Sequence, residues 1–127
     1  MRGELALAET SFDDLHSHGR LTALRGILDL YELTGEAKWL QGVERDWTKV
    51  VECYLLPTGG ITEMFSRSNG RDEGCAVSDW LRLNLGLWRM TGKGRYLDEA
   101  ERCLKNHFLY QQFAAGGSGH RPFINIK

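Results

Sequence analysis

Apolar residues recur at steps of three and four along four stretches of the chain, which is the spacing of one face of an α-helix. These stretches predict helices over about residues 13–34, 36–54, 75–91 and 95–110. Gly35 and Gly92 follow the first and third stretches, where glycine commonly adopts the left-handed conformation that ends a helix. Since no segment favours a strand over these helices, the pattern predicts an all-α fold.

The segments outside the helices are polar. Ser11 and Asp14 have the spacing of a capping box, with Asp in place of the usual Glu, and predict that the first helix begins near Asp13. Residues 57–72 are rich in Gly, Ser, Thr and Asn, which predicts a long loop. The glycine-rich residues 114–127 are predicted to form a flexible tail.

An internal repeat appears when the two Thr-Gly pairs, 57 residues apart, are superposed. The segment from Leu30 to Gly35 then falls on the segment from Leu87 to Gly92. The repeating unit is two helices joined by a tight turn, which predicts two stacked αα-hairpins. Because repeated hairpins bury their faces on their neighbours, a stack of two leaves apolar edges, and we expect the chain to form a homo-oligomer.

Composition narrows the class of protein. With 127 residues and 42% apolar content, the chain is expected to form a single packed domain. The net charge of -1 provides no basic field for nucleic acid or for an anionic membrane surface. The sequence contains no membrane-spanning run and no signal-peptide pattern at its start, so we expect a cytoplasmic protein. The widely spaced cysteines indicate reduced thiols rather than a disulfide framework.

Glu73 and Cys75 lie two residues apart at the junction between the long loop and the third predicted helix. Carboxylates and thiolates are zinc ligands, but a zinc site needs one or two further donors. The remaining candidate donors are His16, His18, Cys53, Cys103, His107 and His120. Both other cysteines lie beside the apolar stripes of predicted helices, which favours a place in the core. The residues alone therefore leave Glu73 and Cys75 without an obvious pair of donors to complete a metal site.

Two further groups are candidates for chemistry. Glu63 lies between apolar neighbours, where a carboxyl group can act as a general acid or base; a solvated loop acid is the alternative. His16 and His18 are candidates to bind metal or a sugar, and a capping or surface histidine is the alternative. Residues two apart do not share a helix face, so at most one of the two histidines is expected to act in a site.

Several short motifs occur in one order. They are His16-Ser17-His18, Leu33-Thr34-Gly35-Glu36, Pro57-Thr58-Gly59-Gly60-Ile61, Glu63-Met64-Phe65, Glu73-Gly74-Cys75-Ala76, the run from Thr91 to Arg102, and Asn106-His107-Phe108. From about Ser11 to His120 the chain thereby resembles the β-L-arabinofuranosidase family of glycoside hydrolases. The resemblance implies an (α/α)6 barrel of six helical hairpins, of which this chain contains about two.

The resemblance also implies roles for individual residues. Glu73 and Cys75 take the positions of zinc ligands, and Glu63 takes that of the acid/base glutamate. His16, with His18 as the alternative, takes the position of a histidine in the sugar pocket. The loop between Gly60 and Glu73 is shorter than the family's, and the family's nucleophile, one of an adjacent cysteine pair further downstream, has no counterpart among these residues.

These matches and departures predict a fragment of a glycosidase-like barrel that lacks glycosidase activity alone. One alternative is a zinc-dependent glycosidase whose site is completed by oligomerisation and which binds a carbohydrate. The other is a non-catalytic helical interaction module, which binds neither metal nor sugar.

Overall fold

The computed structural model describes Phe12, residues 15–65 and residues 72–111. The described chain forms α1 (Ser17–Thr34), α2 (Ala37–Cys53), α3 (Gly74–Thr91) and α4 (Gly94–Asn106), followed by a 3-10 turn (Phe108–Gln111). Within these residues β-pairing is limited to isolated bridges, so the predicted all-α fold is confirmed. The predicted capping box at 11–14, apart from Phe12, and the predicted tail at 114–127 lie outside the described residues.

Each hairpin turns at a glycine in the same way. Gly35 and Gly92 both have φ of 68°, a conformation that residues with a Cβ rarely adopt, and each donates its N–H to the carbonyl four residues earlier. The threonine before each glycine also makes the same contact in both hairpins. The Thr34 and Thr91 hydroxyls each donate, at 2.7 Å, to the backbone carbonyl four residues earlier. The repeat seen in the sequence is therefore a repeated turn structure.

Two helix boundaries differ from the prediction. α1 begins at Ser17 rather than near Asp13, because His16 has an extended backbone and pairs with Met64 in an isolated bridge. α4 ends at Asn106 rather than near residue 110, because His107 leaves helical geometry with φ of -134°. In both places the chain contacts the connection between α2 and α3, residues 54–73, instead of continuing the helix. The spacing of apolar residues along the sequence does not predict such a long-range contact.

α1 and α3 lie side by side and run in the same direction. His16 contacts Glu73 near the N-termini of the two helices, and Glu32 pairs with Arg89 near their C-termini. Arg89 lies 57 residues after Glu32, which is the spacing of the repeat. α1 therefore packs beside its repeat counterpart α3, with α2 against α1 and α4 against α3. As a result, the N-termini of α1 and α3 meet at one end of the stack.

Tryptophan and tyrosine rings join the two hairpins in the core. Trp47 of α2 stacks on Trp80 of α3 with ring centroids 6.0 Å apart, and the Tyr96 ring meets Trp47 edge-on at 4.8 Å. The Trp47 indole N–H donates to Asn84 at 2.7 Å, so this buried polar group is satisfied within the stack. Two of the four tryptophans thus belong to the core, while Trp88 is 42% exposed.

Apolar side chains also remain on the outside of the described hairpins. The large exposed ones include Leu33, Leu85, Trp88, Leu97, Leu104, Leu109 and Tyr110. Several of them lie on α3 and α4, the second hairpin, as expected for the open edge of a stack. None of the helices in the described ranges is both long and apolar enough to span a bilayer.

Candidate active site

The segment that carries Glu63 is tied to the start of α1 by Ser17. The Ser17 hydroxyl, which is fully buried, lies 2.5 Å from the Thr62 carbonyl oxygen and 2.8 Å from that of Glu63. The Ser17 backbone N–H donates to the same Glu63 carbonyl at 2.9 Å. Ile61 and Phe65 on either side are fully buried. These contacts hold the Glu63 backbone in one place and leave its side chain partly exposed.

Three predicted site residues meet beside this segment. Ligand atoms of His16, Glu63 and Glu73 all lie within 4.8 Å of one another. His16 Nε2 is 3.0 Å from Glu73 Oε2, with the His16 side chain 45% exposed and that of Glu73 only 9% exposed. The cluster is therefore open to solvent on the histidine side and closed on the side of Glu73, as a site that receives a ligand from outside requires.

Cys75 extends the cluster from the first turn of α3. Burial, a hydrogen bond with Glu73 and the negative charge of Glu73 raise the pKa of the Cys75 thiol to about 11. At neutral pH the thiol is therefore protonated, and it is a poor nucleophile because the thiolate is the reactive form. A cation bound by both side chains would instead favour the thiolate beside the Glu73 carboxylate, so this pair is better suited to hold a metal than to attack a substrate.

The N-termini of α1 and α3 make the surroundings of the cluster favourable for negative charge. His16 and Glu73 are the N-cap residues of these two helices. The unpaired N–H groups and the helix dipole place partial positive charge at such ends, which stabilises a carboxylate by about 0.3–1 kcal/mol. The fold thus offers a reason why the nearly buried Glu73 carboxylate is tolerated.

His18 lies beside the cluster and has a different partner. Its ring is edge-on to that of His16 with centroids 6.0 Å apart, and its Nδ1 is 2.6 Å from Asp79 Oδ2 on α3. The buried Asp79 also accepts hydrogen bonds from Thr22 at 3.0 Å and Arg25 at 2.5 Å. Of the two candidate histidines, His16 is the one that the structure groups with Glu63 and Glu73.

The other candidate donors lie away from this cluster or outside the described residues. Cys103 is fully buried, and burial followed by the charge of Glu99 raises the pKa of its thiol to about 12. Cys53 packs at the edge of the core. His107 binds Asp72 and Thr58, and His120 lies outside the described residues.

The donor set suits zinc. Tetrahedral zinc sites combine imidazole nitrogen, thiolate sulfur and carboxylate oxygen at about 2.0–2.3 Å, so their ligand atoms lie within a few ångströms of one another. His16, Glu73 and Cys75 supply one donor of each type, with Glu63 as a neighbouring carboxylate. His16 and Glu63 are thus the further donors that lie beside Glu73, and Cys75 contacts Glu73.

Several residues that shape the site were not singled out from the sequence. Ser17 and Asp79 act across separations of 45 to 61 residues, through a hydroxyl and a carboxylate of very common types. His107 was considered from the sequence only as a candidate metal donor and as part of a resemblance, and its contacts with Thr58 and Asp72 were not predicted. A covarying partner would have been the signal for these contacts, and a single sequence does not contain it.

Stacked αα-hairpins with carboxylates, an imidazole and a thiol at one end are the arrangement expected of a six-hairpin glycosidase. The family model described as "Beta-L-arabinofuranosidase, GH127 catalytic domain" matches residues 11–119. The chain belongs to this family. No curated protein matches it.

Proposed function

We propose that this chain provides the acid and metal-binding side of a glycosidase active site that acts on β-L-arabinofuranosides. The observation that supports the proposal is the meeting of His16, Glu63 and Glu73 within 4.8 Å, with Cys75 in contact with Glu73. Family membership supports glycoside hydrolysis as the reaction class, and the family's description names the sugar that we propose. The proximity of these side chains supports a shared role.

Glu63 is proposed as the general acid. Its backbone is held by Ser17, while its side chain is only partly buried and so can meet a leaving-group oxygen. A carboxylic acid in this position donates its proton as the glycosidic bond breaks, and the resulting carboxylate later takes a proton from water. His16, the most exposed member of the cluster, is placed to contact the sugar.

Glu73 and Cys75 are proposed to hold zinc, with His16 as a further donor. When bound, zinc keeps a coordinated thiol deprotonated and fixes the ligands around it. Without the metal, Glu73 accepts from the protonated Cys75 thiol and lies 3.0 Å from His16, so it orients both neighbours. His16 thereby has two proposed roles, as a metal ligand and as a contact to the sugar.

The 127-residue chain by itself is proposed to lack glycosidase activity. None of its three cysteines is adjacent to another, so the thiol pair that the family resemblance requires for nucleophilic attack has no counterpart in this sequence. The alternative is a site completed when copies associate, and the exposed Leu33, Leu85 and Trp88 favour self-association. We therefore propose a homo-oligomer, for which a sedimenting monomer at micromolar concentration would be the contrary result.

Metal content and hydrolysis test the proposal together. Purified wild-type protein is expected to carry about one zinc per chain, and Cys75→Ser is expected to lose most of it. Incubation of the 127-residue chain with a chromogenic β-L-arabinofuranoside is expected to release no product. Product release that depends on both Glu63 and protein concentration would instead support the oligomeric enzyme, and a chain that binds neither zinc nor sugar would support the interaction module.

A further inference from the structure

His107 joins the two ends of the connection between α2 and α3. It follows the last residue of α4, and its side chain is only 10% exposed. Its Nδ1 lies 2.7 Å from the Thr58 hydroxyl, and its Nε2 lies 2.7 Å from Asp72 Oδ2. One imidazole ring thus bridges a residue near the beginning of the connection and a residue near its end.

Two glycines allow the connection to approach α4 this closely. A Cβ on Gly60 would overlap three atoms of the His107 ring, so only glycine fits under the ring. Gly59 has φ of 84°, and a Cβ there would lie 2.9 Å from Arg102 Cγ. Arg102 in turn donates to the Pro57 carbonyl at 2.9 Å. The Pro-Thr-Gly-Gly turn is therefore seated on the last turn of α4.

The same contacts lead directly to the candidate site. Gly60 precedes Glu63 by three residues, and Asp72 is the residue before Glu73. Thr62 pairs with Asp72 in an isolated bridge, so the two ends of the connection also touch each other next to the ring. A change in the position of the His107 ring would therefore move the backbones that carry Glu63 and Glu73.

We propose that His107 is a positioning residue for the candidate active site. It acts through Gly60 on the segment that carries Glu63, and through Asp72 on Glu73. The proposal assigns a purpose to two short motifs, Pro-Thr-Gly-Gly and Asn-His-Phe, that the roles of the site residues leave unexplained. The roles of Glu63 and Glu73 in the site rest on the proposed function. Their positioning by His107 is expected in the metal-free chain as well.

Substitutions at Gly60 and His107 test the contact between them. Gly60→Ala is expected to lower the folding equilibrium constant about tenfold or more, because the new methyl group displaces a nearly buried ring. In a His107→Ala background the same substitution is expected to cost less than about twofold, since the obstructing ring is gone. Equal costs in both backgrounds would overturn the proposed seating of the turn.

Two conservative variants separate positioning from general stability. The amide nitrogen of Gln reaches the position of imidazole Nε2, so His107→Gln keeps a bond to Asp72, whereas Asn reaches that of Nδ1 and keeps only the bond to Thr58. In metal-free His107→Asn, the amides of Leu56 and Phe65, which bond within and beside the connection, are expected to exchange hydrogen about tenfold faster. The Gly92 amide, at the far end of α3, is expected to be unchanged.

Zinc titration then links the positioning to the site. His107→Asn is expected to weaken zinc binding about tenfold or more, and His107→Gln is expected to stay within about threefold of wild type. Tyr96→Phe, which removes a hydrogen bond at the other end of α4, is the control and should bind zinc like wild type. Unchanged amide exchange in His107→Asn, or zinc binding equal to wild type, would overturn the proposal. Failure of the wild type itself to bind zinc would refute the proposed function, and the exchange measurement would still decide the role of His107.

Discussion

Replacing Ser17 by alanine should release the segment that carries Glu63 from the start of α1. The Ser17 hydroxyl is fully buried and contacts two carbonyl oxygens, those of Thr62 and Glu63, at 2.5 and 2.8 Å. Alanine keeps the helix and the backbone N–H bond to Glu63, and it removes only this oxygen and its proton. The substitution therefore isolates the tether between the α2–α3 connection and α1.

The structure limits the size of the effect. A hydroxyl has one proton, so its two contacts share a single donor and do not count as two full hydrogen bonds. The Glu63 carbonyl keeps a partner in the Ser17 N–H at 2.9 Å, while the Thr62 carbonyl loses a close one. Leaving a buried acceptor without a donor costs about 1–3 kcal/mol, so Ser17→Ala should reduce the free energy of unfolding by about 1–2 kcal/mol.

Urea denaturation measured by circular dichroism would quantify this loss. Ser78→Ala is the matched control, because the Ser78 hydroxyl donates at 2.9 Å to the Cys75 carbonyl within its own helix. The free energy of unfolding of Ser78→Ala should fall by no more than about 0.5 kcal/mol, since a carbonyl within a helix keeps its backbone donor. If the two variants differed by less than about 0.3 kcal/mol in the free energy of unfolding, the tethering role of Ser17 would be refuted.

Two further substitutions test the contacts between the hairpins. Asn84→Ala should destabilise the fold by about 2–3 kcal/mol in urea, because it leaves the buried Trp47 indole N–H without its acceptor; a loss below about 1 kcal/mol would contradict this. Burial alone would raise the pKa of Glu44, but hydrogen bonds from Lys93 and Tyr96 outweigh it and lower the pKa below its ordinary value of 4.5. A lowered pKa stabilises the fold above the unfolded value, and that stabilisation is lost as the pH falls through the folded value. The urea midpoint of wild type should therefore fall more steeply below pH 4.5 than that of Glu44→Gln, and parallel curves would contradict the assignment.

The hairpins could be predicted from the sequence because their cause is local. A helix with a buried stripe repeats its apolar residues every three to four positions, so Leu21, Leu24 and Leu28 identify the core side of α1 before any contact is known. Gly35 and Gly92 identify the turns, because few other residues adopt their positive φ. The 57-residue repeat also predicted that the helices form two stacked αα-hairpins.

The boundaries and the geometry of the site depend on contacts between distant segments. α1 begins at Ser17 because His16 pairs with Met64, and α4 ends at Asn106, where His107 turns toward Asp72. His16 lies just before the helix and His18 within it, and the sequence left the two histidines as alternatives. Family resemblance supplied residue types for the site, whereas Ser17 and the partners of His107 needed three-dimensional structure.

The metal site is tested most directly by cobalt substitution of the metal-free protein. Cobalt(II) takes the place of zinc and, when bound to a thiolate, shows a charge-transfer band in the near ultraviolet. Titration of the wild type should produce this band and saturate at about one cobalt per chain, and Cys75→Ser should abolish it. Cys53→Ser, which changes a cysteine at the edge of the core, should leave it intact. A wild-type protein that shows no thiolate band, or a band that persists in Cys75→Ser, would contradict the proposed site at Glu73 and Cys75.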